Sequence, residues 1–232
     1  MIGLLRSTRF TIAVATVAML APLTAVNAAA QSQPRPAAAR RQSRGIQIGG
    51  YAMFGGISFA AAQSFDAILG RHEGPIWGGG ARVGLPLGGL FVDIGASRVN
   101  APGKRVLVVN DQVISLGIPV TIKVTPIELS AGWRFRIRRA PKFIPYAAGG
   151  LTVLKYQETS EFATPSEDAD DSFNGYHVLG GAEYRITRWL GLAFEGLWST
   201  VPDAIGEAGV SKAFNETDLG GNTFRLKLTI GR

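Results

Sequence analysis

The chain has 232 residues, 46% of them hydrophobic and 18% charged, with 30 glycines, no cysteine and a formal net charge of +7. The lack of cysteine excludes a disulfide scaffold, so the fold must be stable through its own packing and hydrogen bonding. Beyond the N-terminal region no run approaches the roughly 18 consecutive apolar residues of a membrane-crossing helix, so any membrane insertion there must use strands.

The chain opens with Arg6 and Arg9, then an uncharged apolar run from Phe10 to Val26, then Asn27-Ala28-Ala29-Ala30. This is the layout of a secretory signal peptide, expected over residues 1–30. Residues 31–44 carry Pro34, Pro36, several alanines and Arg35, Arg40, Arg41 and Arg44, the composition of a flexible basic linker. Setting aside these arginines with Arg6 and Arg9 leaves about +1. No basic face remains for nucleic acid, and residues 45–232 are read as one domain.

From Gly45 onward apolar residues fall on alternate positions, the period of a strand with one apolar face. Eight such segments follow. The first is Gly45–Ser58, with Ile46, Ile48, Ala52 and Phe54 on the apolar side. The second is Pro75–Leu85, with Trp77, Ala81, Val83 and Leu85. The third starts at Gly89, with Leu90, Val92, Ile94 and Ala96. The fourth runs to about Arg138, with Ile127, Leu129, Ala131, Trp133, Phe135 and Ile137. The fifth is Phe143–Gln157, with Ile144, Tyr146 and Ala148, and the sixth Phe173–Ile186, with Tyr176, Val178, Ala182 and Tyr184. The seventh is Trp189–Ser199, with Leu190, Leu192, Phe194 and Trp198, and the eighth Leu219–Gly231, with Phe224, Leu226, Leu228 and Ile230.

Connections alternate in length. Those at 86–88, 138–142 and 187–188 are short; those at 59–74, 98–118, 158–172 and 200–218 are long. Parity changes at Thr125-Pro126, since Val120, Ile122 and Val124 are apolar at even positions and Ile127 to Ile137 at odd ones. A bulge or break is expected there, because proline cannot donate to a ladder. The β-rich residues around Asn110-Asp111 predict that the third and fourth segments extend as a hairpin.

Opposite the apolar face lie charged and small residues: Arg82, Asp93, Glu128, Arg134, Glu183, Arg185, Glu195, Arg225 and Lys227, with Gly78, Gly80 and His177. The other thirteen acids fall in the four long connections, whereas Arg138, Arg139, Lys142 and Arg188 fall in the short turns. Alternation alone fits two arrangements. A soluble lipocalin-like barrel places its apolar face inside; a membrane barrel places it outside. Three features favour the second. Aromatics cluster at segment ends, with Trp77, Tyr176 and Trp198 beside long loops and Trp133, Phe135, Tyr146, Tyr184 and Trp189 beside short turns, as in two interfacial girdles. Glycine mixes with charge on the polar face, as a narrow filled lumen needs. Acidic loops opposite basic turns have no reason to exist in a soluble barrel. The predicted fold is all-β: an eight-stranded antiparallel up-and-down transmembrane β-barrel, with short periplasmic turns, long outer loops and both termini periplasmic.

The runs Thr125-Pro-Ile-Glu-Leu-Ser-Ala-Gly-Trp-Arg-Phe135 and Gly175-Tyr-His-Val-Leu-Gly-Gly-Ala-Glu-Tyr184 resemble strands of the small outer-membrane β-barrel families of OmpA, OmpW and the opacity-type surface proteins. The resemblance covers about Gly45–Arg232. It implies a monomer in the bacterial outer membrane, in contact with membrane lipid, lipopolysaccharide and the barrel-assembly machinery, and it implies little about function. Such barrels commonly end in an aromatic residue; this chain ends Thr229-Ile230-Gly231-Arg232.

No zinc spacing, P-loop, nucleophile elbow or dinucleotide fingerprint is present, so no catalytic residue, metal or cofactor is assigned. Some barrels of this kind modify lipid A with a histidine and a serine. Here His177 is followed by Val178 and Leu179, and nothing in the sequence joins it to Ser58, Ser97 or Ser199. The acids from Glu158 to Asp171 lack the spacing of a calcium loop. The leading functional reading is a structural or surface-interacting outer-membrane barrel with a charge-filled lumen. The alternatives are a narrow channel for a small or apolar solute, a lipid A-modifying enzyme and a soluble binding barrel.

Overall fold

A computed structural model describes residues 45–109, 112–160, 169–207 and 209–231. The expected signal peptide and linker, the Asn110-Asp111 turn and the acids Glu161, Glu167 and Asp168 lie outside the described residues. Eight strands form: β1 (Gln47–Phe59), β2 (Glu73–Gly84), β3 (Leu90–Val109), β4 (Gln112–Arg134), β5 (Phe143–Ser160), β6 (Ala169–Arg185), β7 (Leu190–Thr200) and β8 (Gly221–Gly231). Each pairs antiparallel with the next, and β8 returns to β1 through a register running from Gly49↔Gly231 to Phe59↔Gly221. The barrel is closed and no edge strand remains within its wall. Residues 45 and 231 lie at the same end as the short turns.

The period-two pattern resolves into an apolar outside and a filled inside. Phe54, Ile94, Leu129, Val178, Phe194 and Leu226 are exposed, while their strand neighbours Met53, Asp93, Glu128, His177, Glu195 and Arg225 are buried. An enclosed apolar face, as a soluble barrel would have along its whole wall, is confined here to the upper ends of the strands, at residues such as Val99, Ile122 and Val124. Glycine makes the interior possible at two places. A Cβ on Gly80 would sit 2.4 Å from the Tyr51 hydroxyl, and one on Gly181 2.9 Å from that of Tyr146. Both tyrosines point inward over backbone that carries no side chain.

Two expectations are corrected and a third is narrowed. In β5 the face containing Ile144 and Tyr146 turns inward, and Phe143, Leu151 and Val153 are the exposed set. Both faces of this strand are apolar near the short turn, so alternation could not choose between them. At Thr125-Pro126 the expected interruption is a break in the ladder to β3, without a bulge. Pairing with β3 skips from Ala96↔Ile127 to Val99↔Val124 without a change of register, and the shift lies higher, between Lys104 and Val106. From Val120 to Arg134 the even-numbered β4 residues face inward; what changes at Pro126 is the interior, charged below and apolar above. The stretches read as long connections are also partly ordered. β2, β5 and β6 extend into them, and they hold two helices, α1 (Ala62–Leu69) and α2 (Gly209–Ala213). The predicted β3–β4 hairpin does project, with Val106↔Ser115 and Val109↔Gln112 paired beyond the barrel wall.

The upper interior is an apolar plug. Ile57, Phe59, Ile76, Val99, Ile122, Val124 and Leu154 from the strands pack on Phe65 of α1 and on Val201, Ala204 and Leu219 from the β7–β8 connection. Phe65 stacks on Phe59 with ring centroids 4.2 Å apart and planes 4° from parallel. Helix α1 has no capping side chain of its own. Glu216 from the other connection supplies the cap, accepting from the backbone N–H groups of Gln63 at 3.0 Å and Ser64 at 2.8 Å, where helix N–H groups otherwise lack partners. Gly70 ends the helix at φ 72°, donating to the Asp66 carbonyl at 2.9 Å. Asp218 accepts from the N–H groups of Val201 and Gly220, each at 2.7 Å. The two connections are thereby fastened to each other over the end opposite the short turns.

Replacing Phe65 by alanine should remove about 3–5 kcal/mol from this packing. Limited trypsin digestion of the folded barrel checks it: exposed Arg71, just beyond α1, should resist cleavage in the wild type and be cut in Phe65→Ala, with the strands still folded.

Candidate functional site: a braced charged lumen beneath an apolar plug

Alternation on six strands sends nine charged side chains into the lower interior, and every one meets an opposite charge. Arg225 on β8 forks onto Glu128 on β4, Nη2 to Oε2 at 2.8 Å and Nη1 to Oε1 at 3.1 Å. Its Nε donates at 2.5 Å to Oε1 of Glu195 on β7, whose Oε2 takes Lys227 Nζ at 2.8 Å. Glu195 and Lys227 have 0% exposure and Arg225 2%. Nearer the short turns, Arg82 Nε donates to Asp93 at 2.8 Å, across the β2–β3 pair that sets Arg82 opposite Asp93. Arg134 Nη2 and Arg185 Nε donate to Glu183 at 2.7 and 3.3 Å.

Two tyrosines join these groups. The Tyr51 hydroxyl donates to Asp93 at 2.6 Å, and Lys227 Nζ lies 4.3 Å above its ring. The Tyr146 hydroxyl donates to Glu195 at 2.9 Å, and the Arg82 guanidinium lies 4.7 Å from its ring centre. Cation–π contacts of this kind strengthen when desolvated. Neither tyrosine was placed here by sequence reasoning, and Tyr146 was assigned to the lower girdle. The signal for Tyr51 was present in its parity, opposite to that of Ile48, Ala52 and Phe54. For Tyr146 there was none, because its strand neighbours are apolar on both faces.

The remaining aromatics named from sequence are exposed on the outer surface: Trp77, Tyr176 and Trp198 toward the long connections, and Trp133, Phe135, Tyr184 and Trp189 toward the short turns. Tyr176 and Trp198 meet edge to face at 6.3 Å. Phe143, which the pattern put with no girdle, is also exposed at the turn end.

His177 sits just below the plug, 1% exposed. Its Nε2 is 2.8 Å from Ser130 Oγ and its Nδ1 2.8 Å from Thr152 Oγ1. A serine therefore does meet this histidine, though none of those considered from sequence. The position that would need an orienting carboxylate in a nucleophilic site is taken by a threonine hydroxyl, and Ser130 is buried at 3% exposure. The trio satisfies its own donors and acceptors. Among the described residues no group of three or more His, Cys, Asp or Glu is arranged to hold a metal ion.

Fold and lumen together define a closed eight-stranded barrel of inverted polarity, apolar outside, charged within and plugged at one end. No protein-family model and no curated protein sequence matches the chain. Among solved structures it is similar to the outer membrane protein OprG from Pseudomonas aeruginosa, at 12% identity over 82% of this chain and 94% of that one, with a TM-score of 0.48. It is also similar to Neisserial surface protein A, at 14% identity over 81% and 95% with a TM-score of 0.45. The N-terminal β-barrel domain of Pseudomonas aeruginosa OprF gives 11% identity over 80% and 97%, with a TM-score of 0.45.

Removing one member of the central cluster leaves its partners charged and enclosed. Glu195→Gln should cost roughly 3–5 kcal/mol, read as a lowered urea midpoint in detergent or vesicles. The double variant Glu195→Gln with Lys227→Met should recover part of that loss, because it removes one stranded cation.

Proposed function

We propose that this chain spans the bacterial outer membrane as a monomeric closed barrel with a structural or surface-interacting role. The observation that carries this reading is sidedness: Leu151, Phe54 and Phe194 stand 65%, 63% and 57% exposed, while Glu195 and Lys227 show none. Water favours the reverse, since each apolar Å² left in it forgoes about 25 cal/mol of burial. Hydrocarbon favours what is seen, because the closed ladder satisfies the backbone and the outer surface is apolar. β7 and β8, at 11 residues each, match the roughly 9–11 residues of a membrane-spanning strand.

In this reading residues 1–30 direct export, 31–44 form a periplasmic linker, and the short turns and termini face the periplasm. The assembly machinery inserts the barrel, and lipopolysaccharide meets the girdle at Trp77, Tyr176 and Trp198. The β3–β4 hairpin and the two fastened connections form the contact surface. An open channel is disfavoured by the contents of the lumen, which is filled by the ion-pair network and closed above it by the plug. Eight strands leave an interior about filled by side chains. A lipid-modifying activity finds no support in the enclosed His177 and Ser130.

Purified protein should require an amphiphile to stay dispersed. Phe194→Arg, in the middle of the apolar belt, should lower stability in lipid vesicles by about 2–4 kcal/mol. Leu107→Arg, on the projecting hairpin, should change it little. Equal effects of the two substitutions would remove the membrane reading. In planar bilayers the wild type should show no discrete conductance steps; regular steps would favour the channel instead.

A further inference from the structure

The lumen charges are not evenly balanced along the barrel. In the central cluster Arg225 and Lys227 face Glu128 and Glu195, two against two. At the turn end, among the described residues, Arg82, Arg134 and Arg185 share Asp93 and Glu183, three against two. All three guanidinium groups lie within 4.0 Å of the single Glu183 carboxylate. One carboxylate has too few lone pairs in plane to engage three such forks fully. Arg134 shows the deficit. Its Nε is the one buried side-chain nitrogen or oxygen among the described residues with no hydrogen-bond partner.

These side chains line a concave mouth of about 50 Å³ at the turn end, which reaches inward as far as Tyr51. Its rim is the backbone of Gly49, Gly191 and Gly231, and beyond the rim stand Ile48, Trp189 and Ile230, three exposed side chains of the apolar outer surface. A cationic floor and an apolar wall therefore share one mouth, with the backbone of these glycines and the side chains of Gln47, Leu190 and Thr229 between them.

We infer that this mouth binds a phosphate-type oxyanion, carried on the headgroup of a membrane lipid or free in solution. A phosphodiester headgroup offers acceptor oxygens only, and free phosphate offers mostly acceptors with a negative charge, which suits guanidinium groups with donors to spare. A cation meets the surplus positive charge, and a neutral polar molecule leaves it uncompensated. Arg185, its side chain 30% exposed, stands at the entrance; Arg134, at 13%, lies deeper. When a lipid supplies the phosphate, its acyl chains run along Ile48, Trp189 and Ile230. Only this lipid form rests on the membrane reading; the free-anion form needs the folded barrel alone.

The test uses the folded barrel in uncharged detergent. Calorimetric titration with inorganic phosphate reads the free anion. Titration with micelles doped with phosphatidylglycerol, against undoped micelles, reads the headgroup. Binding in the first arm supports the site with a solute as its ligand, and binding only in the second supports it with a lipid. In whichever arm binds, Arg185→Gln should weaken binding about tenfold or more, and Arg134→Gln likewise. Arg71→Gln, on the outer connection, should leave it unchanged. Arg185 is part-exposed, so its variant keeps the test decisive should Arg134→Gln fail to fold. Equal binding by wild type and Arg185→Gln overturns the inference. So does the absence of binding in both arms by protein that is folded and amphiphile-dependent, an outcome that leaves the membrane reading standing.

Discussion

Glu195 lies at zero exposure and takes hydrogen bonds from Arg225, Lys227 and Tyr146. An ionised carboxylate so enclosed persists only with partners at close range, and those partners must come from other strands. Two are on β8, one is on β5, and through Arg225 the connection reaches Glu128 on β4. The network is thus a set of cross-braces through the interior, where the backbone ladder links only neighbours in the wall. Closure makes the enclosure possible, and the braces in turn fix which residues of each strand face inward.

The interior has two chemistries stacked along one axis. Below Pro126 the inward positions carry ion pairs and hydroxyls; above it they carry Ile122, Val124, Val99 and Leu154, packed on Phe65 and Leu219. His177 marks the junction, bridging Ser130 and Thr152 immediately under the apolar layer. The upper layer cannot be completed by the strands alone. It needs the α1 segment and the β7–β8 connection, and Glu216 fastens one to the other.

The strand count, their order and the nine lumen charges were legible because a period of two leaves little choice when one face is charged. The same rule failed where both faces are apolar. Tyr146 went to the wrong side of β5, since Ile144 and Phe143 are equally greasy and only the tertiary position of Glu195 selects between them. The change at Pro126 was visible in the sequence but only partly read. The ladder to β3 does break there, but the backbone keeps its register without a bulge, and the switch of apolar parity reports a change in the layer it faces. Helix α1 was hidden by its length and by its cap. Eight residues carry little periodicity, and the carboxylate that ends its run of unsatisfied N–H groups lies about 150 residues away in sequence. Arg82, Arg134, Arg185 and Glu183 were each identified, but the convergence of the three arginines on the one carboxylate of Glu183 belongs to the registers of the closed barrel and has no local signature.

The β3–β4 hairpin leaves the wall behind. Pairing of β3 with β2 ends at Trp77↔Arg98, and that of β4 with β5 ends at Val120↔Ser160, so above these points each strand of the hairpin has one flank outside the barrel ladder among the described residues. Long, flat, greasy flanks recruit strands from neighbouring molecules, the first step toward aggregation. This one is interrupted. Lys104 places a charge on it, Pro119 opposite removes a donor, and the register shift between Lys104 and Val106 with Gly117 at φ 72° bends the ribbon. Crowded copies of the protein should therefore remain separate along this finger, and substitutions that flatten it or remove its charge should turn it into a seed for strand-to-strand stacking.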